Sequence, residues 1–152
     1  MGLENRIPPP VVALATVGLM YAAAWLVPAA DVVVPGGTLA AGGIAGVGVL
    51  LDVAGLVHFL RAKTTVNPLN PGAASALVVR GVFRLTRNPM YLGMAILLAA
   101  WGIYLANIAA LAVVPLFVLY INRFQIAPEE RALRARFGAE FDAYCRRVRR
   151  WL

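Results

Sequence analysis

The chain alternates between long apolar runs and short charged stretches, and four apolar runs stand out. The first is about residues 11–28, VVALATVGLMYAAAWLVP, closed by Trp25 and Pro28. The second is about residues 38–60, TLAAGGIAGVGVLLDVAGLVHFL. The third, residues 89–105, reads PMYLGMAILLAAWGIYL, and the fourth, residues 107–126, reads NIAALAVVPLFVLYINRFQI. A membrane-spanning helix needs roughly 17–25 apolar residues, so each run is a candidate span. Pro115 is expected to kink the fourth. Only Asn107 and its neighbours part the third run from the fourth, which predicts a tight helical hairpin. The pattern therefore predicts an all-α integral membrane protein, a single domain over residues 1–152 with about four transmembrane helices.

The tail, residues 127–152, has a different period. Leu133, Phe137, Phe141, Tyr144, Val148 and Trp151 fall at spacings of 4, 4, 3, 4 and 3. That is one face of a helix, or of two short helices broken near Gly138. The other faces are rich in arginine. The segment reads as an amphipathic cytoplasmic helix lying on anionic lipid, with Trp151 as its anchor.

Composition supports the membrane reading. The chain is 61% hydrophobic and 14% charged, with a mean hydropathy of +0.77. The net charge of +7 would suggest nucleic acid in a soluble domain, but its distribution excludes that. One cation is Arg6, five lie between 61 and 87 (Arg61, Lys63, Arg80, Arg84 and Arg87), and eight lie from Arg123 onward. The connection at 29–37 holds Asp31 and no cation, and the connection at 105–107 holds no charge. Under the positive-inside rule both termini, the 61–88 loop and the tail face the cytoplasm of a plasma or inner membrane. No cleavable signal peptide is expected, because the first apolar run follows PPP without a small-residue cleavage site.

Several features carry less chemistry than they suggest. Gly42, Gly43, Gly46, Gly48 and Gly55 lie inside an apolar span, so they are not a nucleotide loop, which must follow a strand and open a helix. Gly42-x-x-x-Gly46 is spacing for close helix packing. Cys145 is the only cysteine and reads as an inert side chain. His58, one turn from Arg61, reads as an interfacial histidine in the headgroups. One histidine and one cysteine without ligand spacing make a metal site improbable. Asp52 is different. A carboxyl inside a span is a functional candidate, unless it makes a helix-to-helix hydrogen bond.

Two stretches carry the candidate chemistry. RLTRNPMYLG, residues 84–93, places arginines, an asparagine and a proline at the mouth of the third run. APEER, residues 127–131, puts Pro128 at a helix start with Glu129 and Glu130 in the first turn, an ordinary N-terminal pattern by itself. The hairpin of the third and fourth runs brings the two stretches to one membrane surface. An acidic pair facing a tyrosine and the backbone amides left beside Pro89 forms a pocket suited to a zwitterion.

These stretches resemble the isoprenylcysteine carboxyl methyltransferase and phospholipid methyltransferase families. Leu77, Val78, Gly81, Arg87, Pro89 and Tyr91 match the first motif, with Phe83 in place of a tyrosine and Asn88 in place of a histidine. Glu129, Glu130, Leu133, Phe137, Gly138, Phe141, Tyr144 and Val148 match the second. The resemblance covers about residues 75–150, half of the chain. It implies methyl transfer from S-adenosylmethionine to a lipid-like or amphipathic acceptor at the cytoplasmic face. Leu77, Val78 and Phe83 would line the cofactor pocket. Asn88, Pro89 and Tyr91 would hold the cofactor, and Glu129 of the acidic pair Glu129–Glu130 would meet its ammonium group. Arg87 or another basic residue would meet its carboxylate.

On the acceptor side the resemblance points to Arg123 and Gln125, with Asp52 as a third candidate. The carboxyl methyltransferases would have an arginine where this chain has Gln125. An amide cannot pair a carboxylate as a charge, which counts against a prenylcysteine acceptor, although Arg123 could substitute. Asn88 in place of histidine excludes a histidine base there. The alternatives are a prenylcysteine carboxyl O-methyltransferase and a non-catalytic membrane scaffold of the same fold. A small transporter leaning on Asp52 ranks last, because it leaves both motifs unexplained.

Overall fold

The computed structural model describes residue 4, residues 6–62 and residues 75–152. Lys63, one of the five loop cations, lies outside the described residues. The described residues are helical apart from short connections. Helix α1 runs Pro9–Leu26, α2 runs Gly37–Arg61 and α3 runs Pro89–Leu105. A helical run then continues from Ile108 to Arg147. Its parts are α4 (Ile108–Leu111), α5 (Val114–Ile121), a π-helical turn (Asn122–Ile126), α6 (Ala127–Phe137) and α7 (Ala139–Arg147).

Three of these helical stretches are long and apolar enough to cross a membrane: α1, α2 and the run that begins at Ile108. The expected third span, α3, is apolar but has 17 residues. That is about 26 Å of helix against roughly 30 Å of hydrocarbon. The run from Ile108 far exceeds one crossing, so its first 20 or so residues suffice to span and Glu129 and Glu130 lie beyond them.

Pro115 acts where expected. It has no N–H for the carbonyl four residues back, and the helix yields just before it. The Leu116 N–H bonds the Val113 carbonyl at 3.0 Å, a tighter turn than an α-helix makes. Pro128 does not act as expected. It opens no new helix, because Ile126 before it keeps helical angles (φ −65°, ψ −45°). The chain accommodates the missing N–H with the π turn, in which the Ala127 N–H reaches the carbonyl of Asn122, five residues back. The extra residue re-aims everything that follows. Glu129 and Glu130 therefore sit inside a continuous helix, not at a free helix start.

The packing glycines also differ from the expected pair. A Cβ on Gly42, Gly43 or Gly46 would meet nothing within 4 Å. The close crossing is made by Gly48 and Gly55 of α2 against α3. A Cβ on Gly48 would lie 2.9 Å from the Gly93 carbonyl, and one on Gly55 would lie 2.7 Å from Met90. Small residues at a helix crossing let backbones approach where lipid offers no hydrophobic drive.

At the turn between α3 and α4, Ala106 adopts a left-handed conformation (φ 50°) and closes the hairpin. Asn107 follows, 2% exposed. Its Oδ1 caps α4 by accepting from the Ala110 N–H at 2.9 Å. Its Nδ2 donates to the Val27 carbonyl at 3.0 Å and to Asp31 Oδ1 at 2.7 Å. The Val32 N–H bonds the Ala106 carbonyl at 2.8 Å. This knot ties the α1–α2 connection to the hairpin. Near it Met20 and Ala110 are fully buried, in a core that continues through Leu98, Phe117 and Ile121.

At the opposite, basic end, the tail folds back onto the chain. The helix breaks at Gly138 (φ 50°), as the sequence suggests. Phe141, Tyr144 and Val148 form a second small core with Leu77, Val79 and Leu133. Trp151, expected as a lipid anchor, is tied to the chain itself. It packs against the main core and donates from Nε1 to Asn122 Oδ1 at 3.1 Å.

Candidate cofactor cavity

Pro89 starts α3, and the residues just before it are held by the tail. The Arg87 N–H bonds the Arg149 carbonyl at 3.0 Å. Thr86 Oγ1 donates to the Arg150 carbonyl at 3.1 Å, and Asn88 Nδ2 donates to the same oxygen at 2.9 Å. Arg87 Nη1 donates to the Val148 carbonyl at 2.7 Å. Tyr144 donates from its hydroxyl to the Phe83 carbonyl at 2.7 Å. The loop is thus fixed by the carbonyls of Val148, Arg149 and Arg150.

The two acids beside each other have opposite surroundings. Glu130 takes Arg87 at 2.7 Å and Arg150 at 2.6 Å. Burial works against its charge, but the hydrogen bonds from Arg150 and Arg87 prevail and hold the carboxyl below the usual range. Glu129 has no arginine. Its Oε1 accepts from the Tyr91 hydroxyl at 2.5 Å. Burial pushes its carboxyl up to about 7, with the charge of Glu130 adding to the rise and the Tyr91 hydrogen bond opposing it.

Between these pieces lies a cavity of about 290 Å³. All nine residues expected around a cofactor line it: Leu77, Val78, Phe83, Arg87, Asn88, Pro89, Tyr91, Glu129 and Glu130. Arg87 is present but engaged, since its guanidinium serves Glu130 and the Val148 carbonyl. Asn88 does not cap α3, because its side chain is turned to the tail. The first turn of α3 therefore meets the cavity without a side-chain cap.

The three acceptor-side candidates do not line the cavity. Arg123 is exposed and bonds Glu4 at 2.6 Å. Gln125 is fully buried, and its Nε2 donates to the Ile7 carbonyl at 2.7 Å. It fastens the segment before α1 to the π turn. Asp52 lies in α2 against Gly93 of α3.

His58, near the end of α2, is held by the chain itself. Its Nδ1 donates to the Ala54 carbonyl at 2.7 Å, and its ring is wedged under the Gly81 turn. A Cβ on Gly81 would collide with that ring, and φ of 59° there also favours glycine. The Cys145 thiol is pushed up by burial, away from the reactive thiolate.

Sequence reading missed several lining residues: Leu56, Phe59, Met90, Met94, Pro9 and Pro10. Helical spacing could have supplied two of them. Met94 is three residues beyond Tyr91, and Phe59 is three beyond Leu56. The proline pair that opens α1 carried no such signal.

Known proteins resemble this chain over much of its length. Residues 37–140, well over half of the chain, match the phospholipid methyltransferase family. A protein of Haemophilus influenzae described only as uncharacterized is 48% identical over 63 residues, which are 41% of this chain and 100% of that relative. No solved structure matches. The family match spans α2, α3 and the helical run through Glu129 and Glu130, so it covers most of the walls of the cavity. With its apolar helices and the match across them, the chain belongs to the phospholipid methyltransferase family of membrane proteins.

Proposed function

We propose that the protein transfers a methyl group from S-adenosylmethionine to a lipid-like or amphipathic acceptor at the cytoplasmic membrane face. The observation that carries this reading is the Glu129–Tyr91 pair, a buried carboxyl without a cationic partner in the wall of a mostly apolar cavity. A buried carboxyl held up to about 7 lacks a cation, and an ammonium group would supply one. The cavity is at the small end of ligand pockets, which run from about 300 to 1,000 Å³.

The residues present fit the cofactor's three charges. Glu129 would meet the ammonium. The uncapped first turn of α3, with the backbone N–H groups of Met90 and Tyr91, would meet the carboxylate. This replaces Arg87 in that role. The Tyr91 ring would favour the sulfonium, and Leu77, Val78 and Leu133 supply apolar walls. When bound, the cofactor supplies an activated methyl group. Transfer then depends on holding donor and acceptor in line. The basic loop and tail support placing this end in the cytoplasm.

The rival acceptor, a prenylcysteine carboxylate, finds little support. Gln125 faces Ile7 and Arg123 faces Glu4, so neither is turned to the cavity.

The test is calorimetric binding of S-adenosylhomocysteine to protein purified in detergent. Micromolar affinity is expected for the wild type, with at least a tenfold loss in Glu129→Ala and in Tyr91→Ala. A folded wild-type protein that does not bind would overturn the reading and favour a non-catalytic scaffold.

A further inference from the structure

Asp52 lies nine residues before Arg61, the last residue of α2. That is about 14 Å of helix from its end. A carboxyl group at such a depth is costly, and it persists where it has a partner or a task. A helix-to-helix hydrogen bond would be the partner. Among the described residues the structure provides none for Oδ1, which is buried. What lies against it on α3 is Gly93. A Cβ there would be 2.1 Å from Oδ1, so the place for the carboxyl exists only because residue 93 is glycine.

The direction of Asp52 is equally specific. At about 100° per residue, it falls between Phe59 and Leu56 around α2. Both of those residues line the cavity, and Asp52 is one helical turn deeper than Leu56. On α3, Met90 and Met94 bracket Gly93 along the helix and line the same cavity. The carboxyl thus lies between α2 and α3, one turn to the membrane side of Leu56, behind the wall of the cavity and not in its lining, so an acceptor reaches it only from between these two helices.

Resting on the methyl-transfer reading above, we propose that Asp52 is the acceptor-side carboxylate of this site. It binds the hydrogen of an acceptor N–H, O–H or S–H group and turns the lone pair of that atom toward the methyl donor. In the transfer, the lone pair forms the new bond to the methyl carbon. The carbon–sulfur bonding pair returns to sulfur, and the acceptor's proton passes to the Asp52 carboxylate. An acceptor that is itself a carboxylate has no hydrogen to give and meets like charge. The acceptor class is therefore an amphiphile with a donor headgroup.

The test uses the full chain in nanodiscs of uncharged net composition, with S-adenosylhomocysteine present. Dodecylamine, dodecanol and dodecanoate are titrated by calorimetry. The wild type is expected to bind dodecylamine or dodecanol at least tenfold more tightly than dodecanoate. Asp52→Asn is expected to reduce that preference below threefold while S-adenosylhomocysteine affinity stays within twofold. An unchanged preference in Asp52→Asn overturns the proposal. If that variant does not fold, Gly93→Ala takes its place. The added methyl meets both the carboxyl and, at 2.7 Å, the Gly48 carbonyl, so α2 and α3 part and the carboxyl shifts, and an unchanged preference there overturns the proposal as well. A wild type that binds S-adenosylhomocysteine but shows no preference also overturns the role of Asp52, and it leaves the methyl-transfer reading standing. A wild type that binds no S-adenosylhomocysteine overturns both.

Discussion

The hairpin of α3 and the run from Ile108 is polar at both ends, and the chain uses the polar groups at the two ends differently. At the Asn107 end, the side-chain amide serves three partners in the chain, and a short backbone bridge closes the rest. At the Glu129 end, the chain satisfies one acid and leaves its neighbour without a cation. Glu130 has two arginines, whereas Glu129 has a tyrosine hydroxyl. The difference separates polar groups used for assembly from a polar group held in reserve. A buried polar group that is fully matched fixes the fold, and one left short of a partner marks a site for a ligand.

The strongest break of this contrast is Glu130→Ala. The pair it forms with Arg87 is nearly shielded, at 13% and 14% exposure. Removing one partner of a buried pair leaves the other charge uncompensated, which costs about 3 kcal/mol. Unfolding in detergent should show that loss. S-adenosylhomocysteine affinity should fall too, since Arg87 also holds the loop to the tail. Asn107→Ala comes next. It leaves Asp31, the Val27 carbonyl and the Ala110 N–H without their partner, at about 2 kcal/mol in the same measurement. Here the cofactor affinity should stay within twofold. A large loss of affinity in Asn107→Ala would dissolve the division between the two ends.

The pH dependence of binding sharpens the contrast. Burial first, and Glu130 second, hold the Glu129 carboxyl up to about 7. At pH 6 most of it is neutral, and at pH 8 most is ionised. An ammonium group gains only from the ionised form. Affinity for S-adenosylhomocysteine should therefore rise from pH 6 to pH 8 by up to about tenfold. Binding at pH 6 should release a proton, read as a buffer-dependent heat in calorimetry. Glu129→Gln should flatten the profile. Glu130, held below the usual range by its arginines, contributes nothing in that window.

Much of this was legible in the residues, and the remainder has physical reasons. The first three apolar runs gave α1, α2 and α3 within two residues, because lipid demands both length and polarity, and the fourth gave the start of the run at Ile108 but not its continuation to Arg147. The first motif and the acids at 129–130 gave residues that line one cavity, because the hairpin returns both stretches to the same end of the molecule. Pro128 was misread for a clear reason: a proline just before two acids is the ordinary opening of a helix, and a π turn leaves no mark of its own in the sequence. Gly42-x-x-x-Gly46 was misread because spacing alone does not tell which face of α2 meets α3. Arg87 was assigned to a ligand because nothing local reveals that Glu130 and the Val148 carbonyl, far along the chain, already hold it.

The smallest expected effect lies at the closed end. Ala106 has φ of 50°, a conformation that costs a residue with a Cβ about 1 kcal/mol relative to glycine. Glycine at this position would lose that strain, and it would also lose more chain entropy on folding, about 0.5 kcal/mol. The net expectation for Ala106→Gly is stabilisation by about 0.5 kcal/mol. The Val32 N–H bond to the Ala106 carbonyl involves backbone alone, so it survives the change. Cofactor affinity should not move, because the knot and the cavity share no side chain. A fall in stability would show that the Ala106 methyl packs favourably enough to outweigh its strain. The closed end would then be held by apolar contact at Ala106 as well as by the polar groups of Asn107.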